Sequence, residues 1–305
     1  MEDKYYLKVI EELNKEYIDV INSKEYKLGN KIIKLFQNLK KGKIITIIKK
    51  QIKNSRLKRV QKKHRVNNIE AKTYFDLTQL EGKKIAIYTC ITGGYDYLTD
   101  PVYKNPQIDY YLFTDDKNAK SDVWKVIQIP EKIKKIGNNI IINRYFKMHP
   151  QELFENYDYS IYVDGNISVF GDLREYLCHI NDKTGLAMYS HEIRDCIYDE
   201  KDACKILKKG DPKKINEQLE KYKKEGFPRH FGMVECPVIA TDLKNTNSKK
   251  VLDLWWQEFI KSESGRDQLA LPYILWKNNY EISDLGIIGS TVFKDYRIRT
   301  GRIHK

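Results

Sequence analysis

The chain has 305 residues and a formal net charge of +13, from 55 Lys and Arg against 42 Asp and Glu. The excess is confined to residues 27–65, which contain fifteen basic residues and no acidic one. The first 26 residues carry −3 and residues 66–305 carry only +1. This distribution argues against a protein that wraps nucleic acid over its whole surface. With 41% hydrophobic and 12% aromatic residues, the chain can form a folded core.

Signals for membrane insertion or secretion are not apparent. The longest apolar run of the N-terminal region, residues 44–48, is far shorter than the roughly 20 residues that span a bilayer. The first residues are mixed in charge and lack the apolar core of a signal peptide. The five cysteines are odd in number and form no C-x-x-C pair, so neither a disulfide framework nor structural zinc is expected. This cysteine use favours a reducing cytoplasm.

Residues 1–66 have the periodicity of amphipathic helices, with predicted interruptions at Gly29 and Gly42. Lysines surround the apolar stripe in residues 27–65, which suits an anionic membrane surface. The alternative is a helical hairpin that packs on the rest of the chain or on a partner. A nucleic-acid-binding segment is a further alternative, which the Ile- and Leu-rich rather than aromatic stripe disfavours.

After a predicted linker at residues 67–82, the pattern changes to strands that alternate with helices. The predicted strands are residues 83–91, 109–116, 123–130, 159–166, 185–191 and 233–242. The predicted helices are residues 139–156, 197–225, 247–262 and 266–278. This alternation predicts an α/β domain over residues 83–305, with a largely parallel sheet and flanking helices.

The clearest local motif is Asp164-Gly165-Asn166, which follows an apolar strand. In open α/β sheets, ligands bind at the carboxyl ends of the strands. Two oxygen-bearing side chains there would suit a divalent cation and a diphosphate. Asp-Gly after an apolar run is also a hairpin turn signal, and the pattern alone favours neither interpretation.

Polar groups follow other strands as well. The run Thr92-Gly93-Gly94-Tyr95-Asp96 could bring backbone N–H groups close to a nucleotide, or it could be an ordinary loop. Asp115 ends the second strand, where a carboxylate could hold a ribose or a base. Arg144 and Lys147 share one face of a predicted helix and could neutralise a diphosphate, although a solvated face is the simpler interpretation.

Asp267 and Gln268 open the last long helix, where Asp267 is either a first-turn acid or a ligand for a sugar. His191 ends a strand and His304 stands next to the C-terminal residue; isolated histidines are more often structural than functional. The chain contains no G-x-S-x-G elbow, phosphate-binding P-loop, H-E-x-x-H or kinase motif set.

Taken in order, these segments resemble a known family. It is the TOD1/MUCI70-type glycosyltransferase-like family, known from plant mucilage and cell-wall proteins and from bacterial polysaccharide proteins. The matching stretches cover roughly residues 84–304 and include KIAIYTCITGGYD, YYLFTDD, NRYFKMHPQELFENYDYSIYVDGNISV, YSHEIRDCIYDEKDA, KYKKEGFP, GMVECPVIATD, GRDQLALPY and FKDYRIRTGRIHK. The resemblance implies a glycosyltransferase-A-like fold, a nucleotide-sugar donor and a glycan or lipid-linked acceptor in surface-polysaccharide biosynthesis.

The resemblance also implies residue roles. Asp164 and Asn166 would be this chain's version of the D-x-D element that holds Mn²⁺ or Mg²⁺, and the neutral Asn166 predicts weaker metal binding. His304 would complete the metal or phosphate site. The remaining donor-binding residues would be Thr92, Gly93, Tyr95, Asp115, Arg144 and Lys147.

His191 and Glu235 would border the sugar or the acceptor and, with Asp267 and Gln268, would be the catalytic residues. Asp267 and Gln268 look like the Asp-Gln pair that opens the acceptor-side helix of several retaining glycosyltransferases. If the reaction inverts, a carboxylate such as Asp267 must deprotonate the acceptor hydroxyl; if it retains, Asp267 and Gln268 would position substrate.

The main hypothesis is thus a cytoplasmic glycosyltransferase, peripheral to the inner face of the plasma membrane. The second hypothesis is a nucleic-acid-binding protein that uses residues 27–65. The third is a hydrolase on a glycosyltransferase-like fold, which ranks last because no nucleophile triad or His-rich zinc site is present.

Overall fold

The fold is known from a computed structural model, which describes residues 2–40, 44–63 and 76–301. The helices are α1 (Glu2–Asn22), α2 (Lys24–Lys40), α3 (Ile44–Lys63), α4 (Glu131–Lys134), α5 (Asn139–Met148), α6 (Pro150–Leu153), α7 (Ile197–Leu207), α8 (Pro212–Lys224), α9 (Thr246–Ser262) and α10 (Asp267–Lys277). The strands are β1 (Ile85–Ile91), β2 (Ile108–Thr114), β3 (Lys125–Gln128), β4 (Tyr159–Val163), β5 (Ile167–Val169), β6 (Leu186–Ser190), β7 (Val234–Asp242), β8 (Gly286–Ile287) and β9 (Ile298–Thr300).

Seven strands form one mixed sheet in the order β3-β2-β1-β4-β7-β6-β8. The pairs β1–β2, β1–β4, β2–β3 and β6–β8 are parallel, whereas β7 runs antiparallel to both β4 and β6. A small antiparallel pair, β5–β9, lies beside this sheet. The predicted fold class, a mostly parallel mixed sheet with flanking helices, is confirmed.

Each face of the sheet packs against its own hydrophobic cluster because side chains alternate along a strand. In β1, Ala86, Tyr88 and Cys90 join one cluster, which also contains Trp255 of α9. Ile85, Ile87 and Ile91 join the opposite cluster, which holds the short strands and 3₁₀ turns. Burial on both faces explains why β1 is a continuous apolar run in the sequence.

Two predicted helices are each divided in the structure. Residues 139–156 form α5 and α6, because Pro150 cannot continue the hydrogen-bond ladder of α5 and instead occupies the first turn of α6. Residues 197–225 form α7 and α8, which are separated at Gly210, with φ of +72°, and at the Asp211 cap. The predicted helix at residues 197–225 is therefore two helices, which pack against each other.

The N-terminal segment is helical, but its breaks differ from the prediction. Gly29 lies inside the continuous helix α2, and the chain turns at Ser23 instead. Gly42 and most of the predicted linker 67–82 lie outside the described residues. No described helix is both long and apolar enough to cross a membrane.

Helix α1 packs on the C-terminal strand region. Ile18 and Asn14 are buried, and the Asn14 side chain donates to the backbone carbonyl of Tyr296. The Arg299 guanidinium lies 3.8 Å from the ring centroid of Tyr17. The first helix therefore contacts the same part of the fold as β9, whereas α3 packs against α7.

Candidate active site

The carboxyl ends of β1, β2, β4 and β6 meet the first residues of β7 at one edge of the sheet. This edge carries the polar side chains that the sequence places after each strand. The parallel arrangement brings these groups together because the strands all point the same way, and antiparallel β7 begins where they end.

The loop after β1 is held by the loop after β2. The backbone N–H of Gly93 donates to both carboxylate oxygens of Asp115, at 2.9 and 3.0 Å. The Thr92 hydroxyl donates to the Asn139 carbonyl at 3.1 Å. Gly93 has φ of +61°, a left-handed conformation that favours glycine, and a Cβ there would lie 2.1 Å from Asn139 Nδ2 and displace that side chain. Tyr95 is mostly exposed beside this fixed turn.

The Asp164-Gly165-Asn166 turn lies next to the β1 loop. Asp164 Oδ1 accepts a hydrogen bond from the Tyr162 hydroxyl at 3.0 Å. A Cβ on Gly165 would lie 2.7 Å from Ile91 and 3.0 Å from Asp96 Oδ2, so the glycine allows the two loops to approach. The backbone carbonyl of Asn166 accepts from Gly301 N, which brings the end of the described chain to this turn. His304 lies outside the described residues.

The donor types at this turn fit a hard divalent cation. Asp164 and Asn166 are both partly exposed and supply a carboxylate and an amide oxygen, which are ligand types that Mg²⁺ and Mn²⁺ accept. Two such side chains leave most of the coordination shell to water and to substrate oxygens. The turn is therefore suited to a cation that arrives with a diphosphate.

Behind this turn, Arg144 and Lys147 share one carboxylate. Lys147 Nζ donates to Asp267 Oδ2 at 2.9 Å, and Arg144 Nε lies 2.9 Å from the same oxygen without hydrogen-bond geometry. Asp267 and Lys147 are almost fully buried, whereas the Arg144 side chain is 20% exposed. Two cations and one anion leave this cluster with a net positive charge.

The charge state of the cluster follows from these contacts. Burial alone would raise the pKa of Asp267, but Arg144, Lys147 and Arg266 outweigh burial and hold it well below its usual range. The nearby charges of Asp267 and Asp164 raise the pKa of Arg144 despite its desolvation. Asp267 is thus a permanent anion, and Arg144 connects it electrostatically to the Asp164 turn.

Gln268 is held by two neighbours. Its Nε2 donates to the Val234 carbonyl at 2.9 Å, and its Oε1 accepts from Arg266 Nη2 at 2.9 Å. Trp255 Nε1 donates to the backbone carbonyl of Asp267 at 2.7 Å. These bonds fix the first turn of α10 against the start of β7.

His191 directly follows β6, and Glu235 lies near the start of the paired strand β7. His191 Nδ1 accepts from the backbone N–H groups of Ile193 and Arg194, at 3.3 and 3.1 Å. Burial lowers the pKa of His191 to about 4 although Glu200, 3.8 Å away, opposes the shift. His191 is thus neutral near pH 7 and carries its proton on Nε2.

Glu235 has the opposite shift. Its Oε2 accepts from the Thr291 hydroxyl at 2.9 Å and from Val292 N at 3.2 Å. Burial raises the pKa of Glu235 to about 7, because it outweighs these two hydrogen bonds. A carboxyl group that titrates near neutrality can exchange protons at working pH.

We expect Glu235→Gln to change the pH dependence of stability. The folded-state pKa is about 7 against a reference of 4.5, so the protonated form stabilises the fold at low pH and this contribution disappears as pH rises through 7. Wild-type protein is expected to lose about 1–3 kcal/mol relative to Glu235→Gln between pH 4.5 and 8. Denaturant unfolding at each pH measures this difference. Exposed Glu217→Gln is the control and is expected to follow the wild-type curve; a parallel curve for Glu235→Gln would contradict the prediction.

Several residues at this edge have no role in the sequence analysis. Tyr162 and Asn143 contact Asp164 and Arg144, and Arg266 approaches Glu200 at 3.9 Å. Arg266 precedes the predicted site residue Asp267 in the sequence, and this position could have indicated that Arg266 also lies at the site. Glu200 lies within a charged helical run and has no such signal.

The chain is similar to one protein family and to several solved structures. A family model described as TOD1/MUCI70, glycosyltransferase-like domain, matches residues 57–299. The bifunctional glycosyltransferase WbbM in its apo form is similar at 11% identity and a TM-score of 0.40, over 72% of this chain but only 40% of its own. The galactosyltransferase LgtC, in complex with donor and acceptor sugar analogs, is similar at 13% identity and a TM-score of 0.36, over 62% of this chain and 70% of its own. No curated protein sequence matches the chain.

Proposed function

Because the chain belongs to the TOD1/MUCI70 family of glycosyltransferase-like domains and is thereby a glycosyltransferase, we propose that it moves a sugar from a nucleotide-sugar donor to a glycan or lipid-linked acceptor. We further propose that this transfer serves surface-polysaccharide assembly. The observation that carries the donor assignment is the Asp164 turn, which lies at the carboxyl end of β4 beside the fixed Gly93 loop.

In this proposal the nucleotide lies along the loops after β1 and β2. The Gly93–Asp115 contact supports these loops, and Thr92 and exposed Tyr95 line them. A rigid loop binds a ligand without first losing conformational entropy, which increases the affinity available for the donor. Asp115 would act through the loop that it holds as much as through direct contact.

The diphosphate would lie between the Asp164 turn and Arg144. Glycosyl transfer places growing negative charge on the departing diphosphate, and fixed positive charge nearby lowers that barrier. Arg144 is the partly exposed cation of the cluster, whereas Lys147 is fully covered and paired with Asp267. Arg144 would therefore contact phosphate, and Lys147 would position Asp267 and add long-range charge.

Mn²⁺ or Mg²⁺ would be held by Asp164 and Asn166, and when bound it would neutralise part of the diphosphate charge. The amide of Asn166 carries no charge, so binding would be weaker than at two carboxylates.

Glu235 is better suited than Asp267 to accept a proton from the acceptor. The lowered pKa of Asp267 makes it a weak base, whereas the pKa of Glu235 lies at about 7. Asp267 and Gln268 would then position groups around the sugar, and Glu235 would serve as base if the reaction inverts. His191, which is neutral with a proton on Nε2, would donate a hydrogen bond near the acceptor.

A donor screen tests the proposal. Full-length protein is incubated with a panel of nucleotide sugars, with and without Mn²⁺, and binding is measured by calorimetry and donor hydrolysis by nucleotide release. We expect one donor class to bind and to be hydrolysed slowly without acceptor. If none of the donors binds, the proposed site is excluded. It is also excluded if free nucleotides of every base bind equally strongly.

We also propose that residues 27–65 hold the protein at an anionic membrane, on the cytoplasmic face of the plasma membrane. Six of the 19 exposed large hydrophobic side chains among the described residues lie within residues 27–65. They include Ile32, Ile33 and Phe36 of α2 and Ile48 and Ile52 of α3. Exposed apolar side chains beside lysines favour an anionic lipid surface.

Charge reversal tests this anchor without removing α1, which packs on the core. In one variant Lys31, Lys34, Lys49 and Lys53 become Glu, and in a matched control Lys213, Lys214, Lys223 and Lys224 of α8 become Glu. Each basic residue near an anionic surface contributes about 1 kcal/mol, so we expect at least a tenfold loss of flotation with phosphatidylserine-rich liposomes. The α8 control is expected to float like wild type. Equal loss in both variants, or binding of RNA in place of vesicles at physiological salt, would contradict the membrane proposal.

A further inference from the structure

A second group of metal-ligating side chains lies away from the Asp164 turn. Cys196 Sγ, a carboxylate oxygen of Asp199 and a ring nitrogen of His230 all lie within 4.8 Å of one another. Cys196 is the N-cap of α7, Asp199 stands in its first turn, and His230 belongs to the loop before β7. Among residues 2–40, 44–63 and 76–301, this is the one group of three His, Cys, Asp or Glu side chains with such spacing.

Two neighbouring charged groups orient the cluster. His230 Nδ1 lies 2.7 Å from Asp195 Oδ1, so the ring donates its Nδ1 proton to a carboxylate and presents the lone pair of Nε2. Carboxylates bind metal-ligating histidines in this way and fix the tautomer. Arg229 Nη2 donates to Asp199 Oδ1 at 2.6 Å, which fixes the second ligand.

The backbone around the cluster is already in place. Gly232 N donates to the Asp195 carbonyl at 2.8 Å and joins the two segments that carry the ligands. Cys196 and Asp199 are buried, whereas the His230 side chain is 54% exposed. His230 also has φ of +58°, a left-handed conformation that is uncommon outside glycine and is found at functional sites. The cluster is thus preformed on one side and open to solvent on the other.

We propose that Cys196, Asp199 and His230 bind Zn²⁺. Thiolate, imidazole and carboxylate together are zinc ligands, whereas Mg²⁺ and Mn²⁺ prefer oxygen alone. One thiolate and one carboxylate balance the charge of the ion, and Asp195 and Arg229 balance each other. The site therefore brings no net charge into the protein, and its negative ligands lie at the positive end of α7.

Three protein ligands leave the fourth tetrahedral position of Zn²⁺ to water or to an oxygen of a substrate. The ion would join the first turn of α7 to the loop that leads into β7. Glu200, the residue after Asp199, contacts Arg194 and lies 3.8 Å from His191, and β7 carries Glu235. Zinc would thus stabilise the part of the sheet edge that carries His191 and Glu235. Its site is separate from the Asp164 turn.

The absence of a C-x-x-C pair from the sequence predicts no structural zinc. The ligands found here form a C-x-x-D pair on one helix turn and a histidine from a distant loop. An i, i+3 spacing at a helix start has no sequence signature of its own, so only the fold brings the third ligand to the other two.

The test measures zinc on the full-length chain without a histidine tag. Protein is stripped with chelator, titrated with Zn²⁺ in competition with a chromophoric chelator, and analysed for bound metal after gel filtration. We expect one Zn²⁺ per chain. With Co²⁺ in place of zinc, we expect a sulfur-to-cobalt charge-transfer band and the visible bands of a four-coordinate site.

Four variants separate the proposal from its alternatives. His230→Ala replaces an exposed side chain and is expected to fold, while it weakens zinc affinity at least about 100-fold. Asp195→Asn is expected to weaken it about 10- to 100-fold. Cys196→Ser is expected to abolish the charge-transfer band. Cys178→Ser, a cysteine outside the cluster, is expected to retain zinc.

Asp164→Ala is also expected to keep full zinc binding, which distinguishes this site from the donor site even if no nucleotide sugar binds. Substoichiometric zinc in wild type, or the same affinity in wild type and His230→Ala, would overturn the proposal.

Discussion

Asp267→Asn is expected to lower the free energy of unfolding by about 3–5 kcal/mol, because it leaves a buried lysine and a mostly buried arginine without their shared counter-charge. Lys147 is only 2% exposed and the Arg144 side chain 20% exposed, so water compensates poorly for the lost carboxylate. Denaturant unfolding at pH 7 measures the effect.

Lys147→Met provides the sharper comparison. In that variant Asp267 keeps Arg144 at 2.9 Å, and the methionine fills an apolar space beside Tyr162 and Trp255. We therefore expect a smaller loss, about 1–3 kcal/mol. Asp253→Asn breaks the exposed pair with Lys249 on α9 and is expected to cost less than about 1 kcal/mol.

The pH dependence of the Asp267 contribution has a defined sign. Because its folded-state pKa is lowered, the stabilisation is fully present above the unfolded pKa of about 3.9 and is lost as pH falls through the folded value. Wild-type and Asp267→Asn curves are expected to stay parallel above about pH 5. If Asp267→Asn and Lys147→Met lower the free energy of unfolding equally, the shared Asp267 carboxylate does not contribute more to stability than Lys147, which would contradict the prediction.

Asp164→Ala is expected to reduce donor turnover at least about 100-fold while it leaves the fold intact. Asp164 is partly exposed, and its one described side-chain bond is to the Tyr162 hydroxyl, so its removal disturbs little packing. In the proposed site, its carboxylate would be the charged ligand at the carboxyl end of β4. The measurement is kcat/KM for donor hydrolysis or transfer, with the unfolding free energy as a check on structure.

Asn166→Asp is the matched variant with the opposite expectation. It adds a second carboxylate to the turn, so we expect about tenfold tighter Mn²⁺ binding, because affinity for hard cations rises with ligand charge. Asp253→Ala, remote from the turn, controls for the loss of an acid. Full turnover in Asp164→Ala, or unchanged Mn²⁺ affinity in both turn variants, would remove this turn from the proposed chemistry.

The elements of the sheet could be predicted because their signals are local. The run from Ile85 to Ile91 is apolar throughout, as a strand buried on both faces requires. The short strands β5, β8 and β9 have two or three residues and no period of their own, so nothing in the sequence indicates them. Proline and glycine commonly end helices, so Pro150 and Gly210 could have indicated the two helix breaks. The helical periodicity on both sides of each residue instead predicted continuous helices.

The sequence indicates which polar residues gather at this edge of the sheet, but not which of them contact one another. The sequence places Asp164, Asp115 and His191 at strand ends, and parallel strands bring their ends together. It gives no indication that Arg144 and Lys147 both contact Asp267, which lies 120 residues after Lys147. Alone on a helix face, the two cations resemble phosphate ligands; the structure shows that one of them is already neutralised.

The sequence by itself determined the fold class, the family and the confinement of the +13 charge to residues 27–65, because composition and short-range periodicity are written along the chain. Only the tertiary structure decided which charges are paired. Burial removes water from Asp267, His191 and Glu235, and burial together with contacts between distant segments then sets the pKa of each of these groups. It also decided that α1 packs beside β9 and that Cys196, Asp199 and His230 meet, since both depend on the three-dimensional path of segments far apart in sequence.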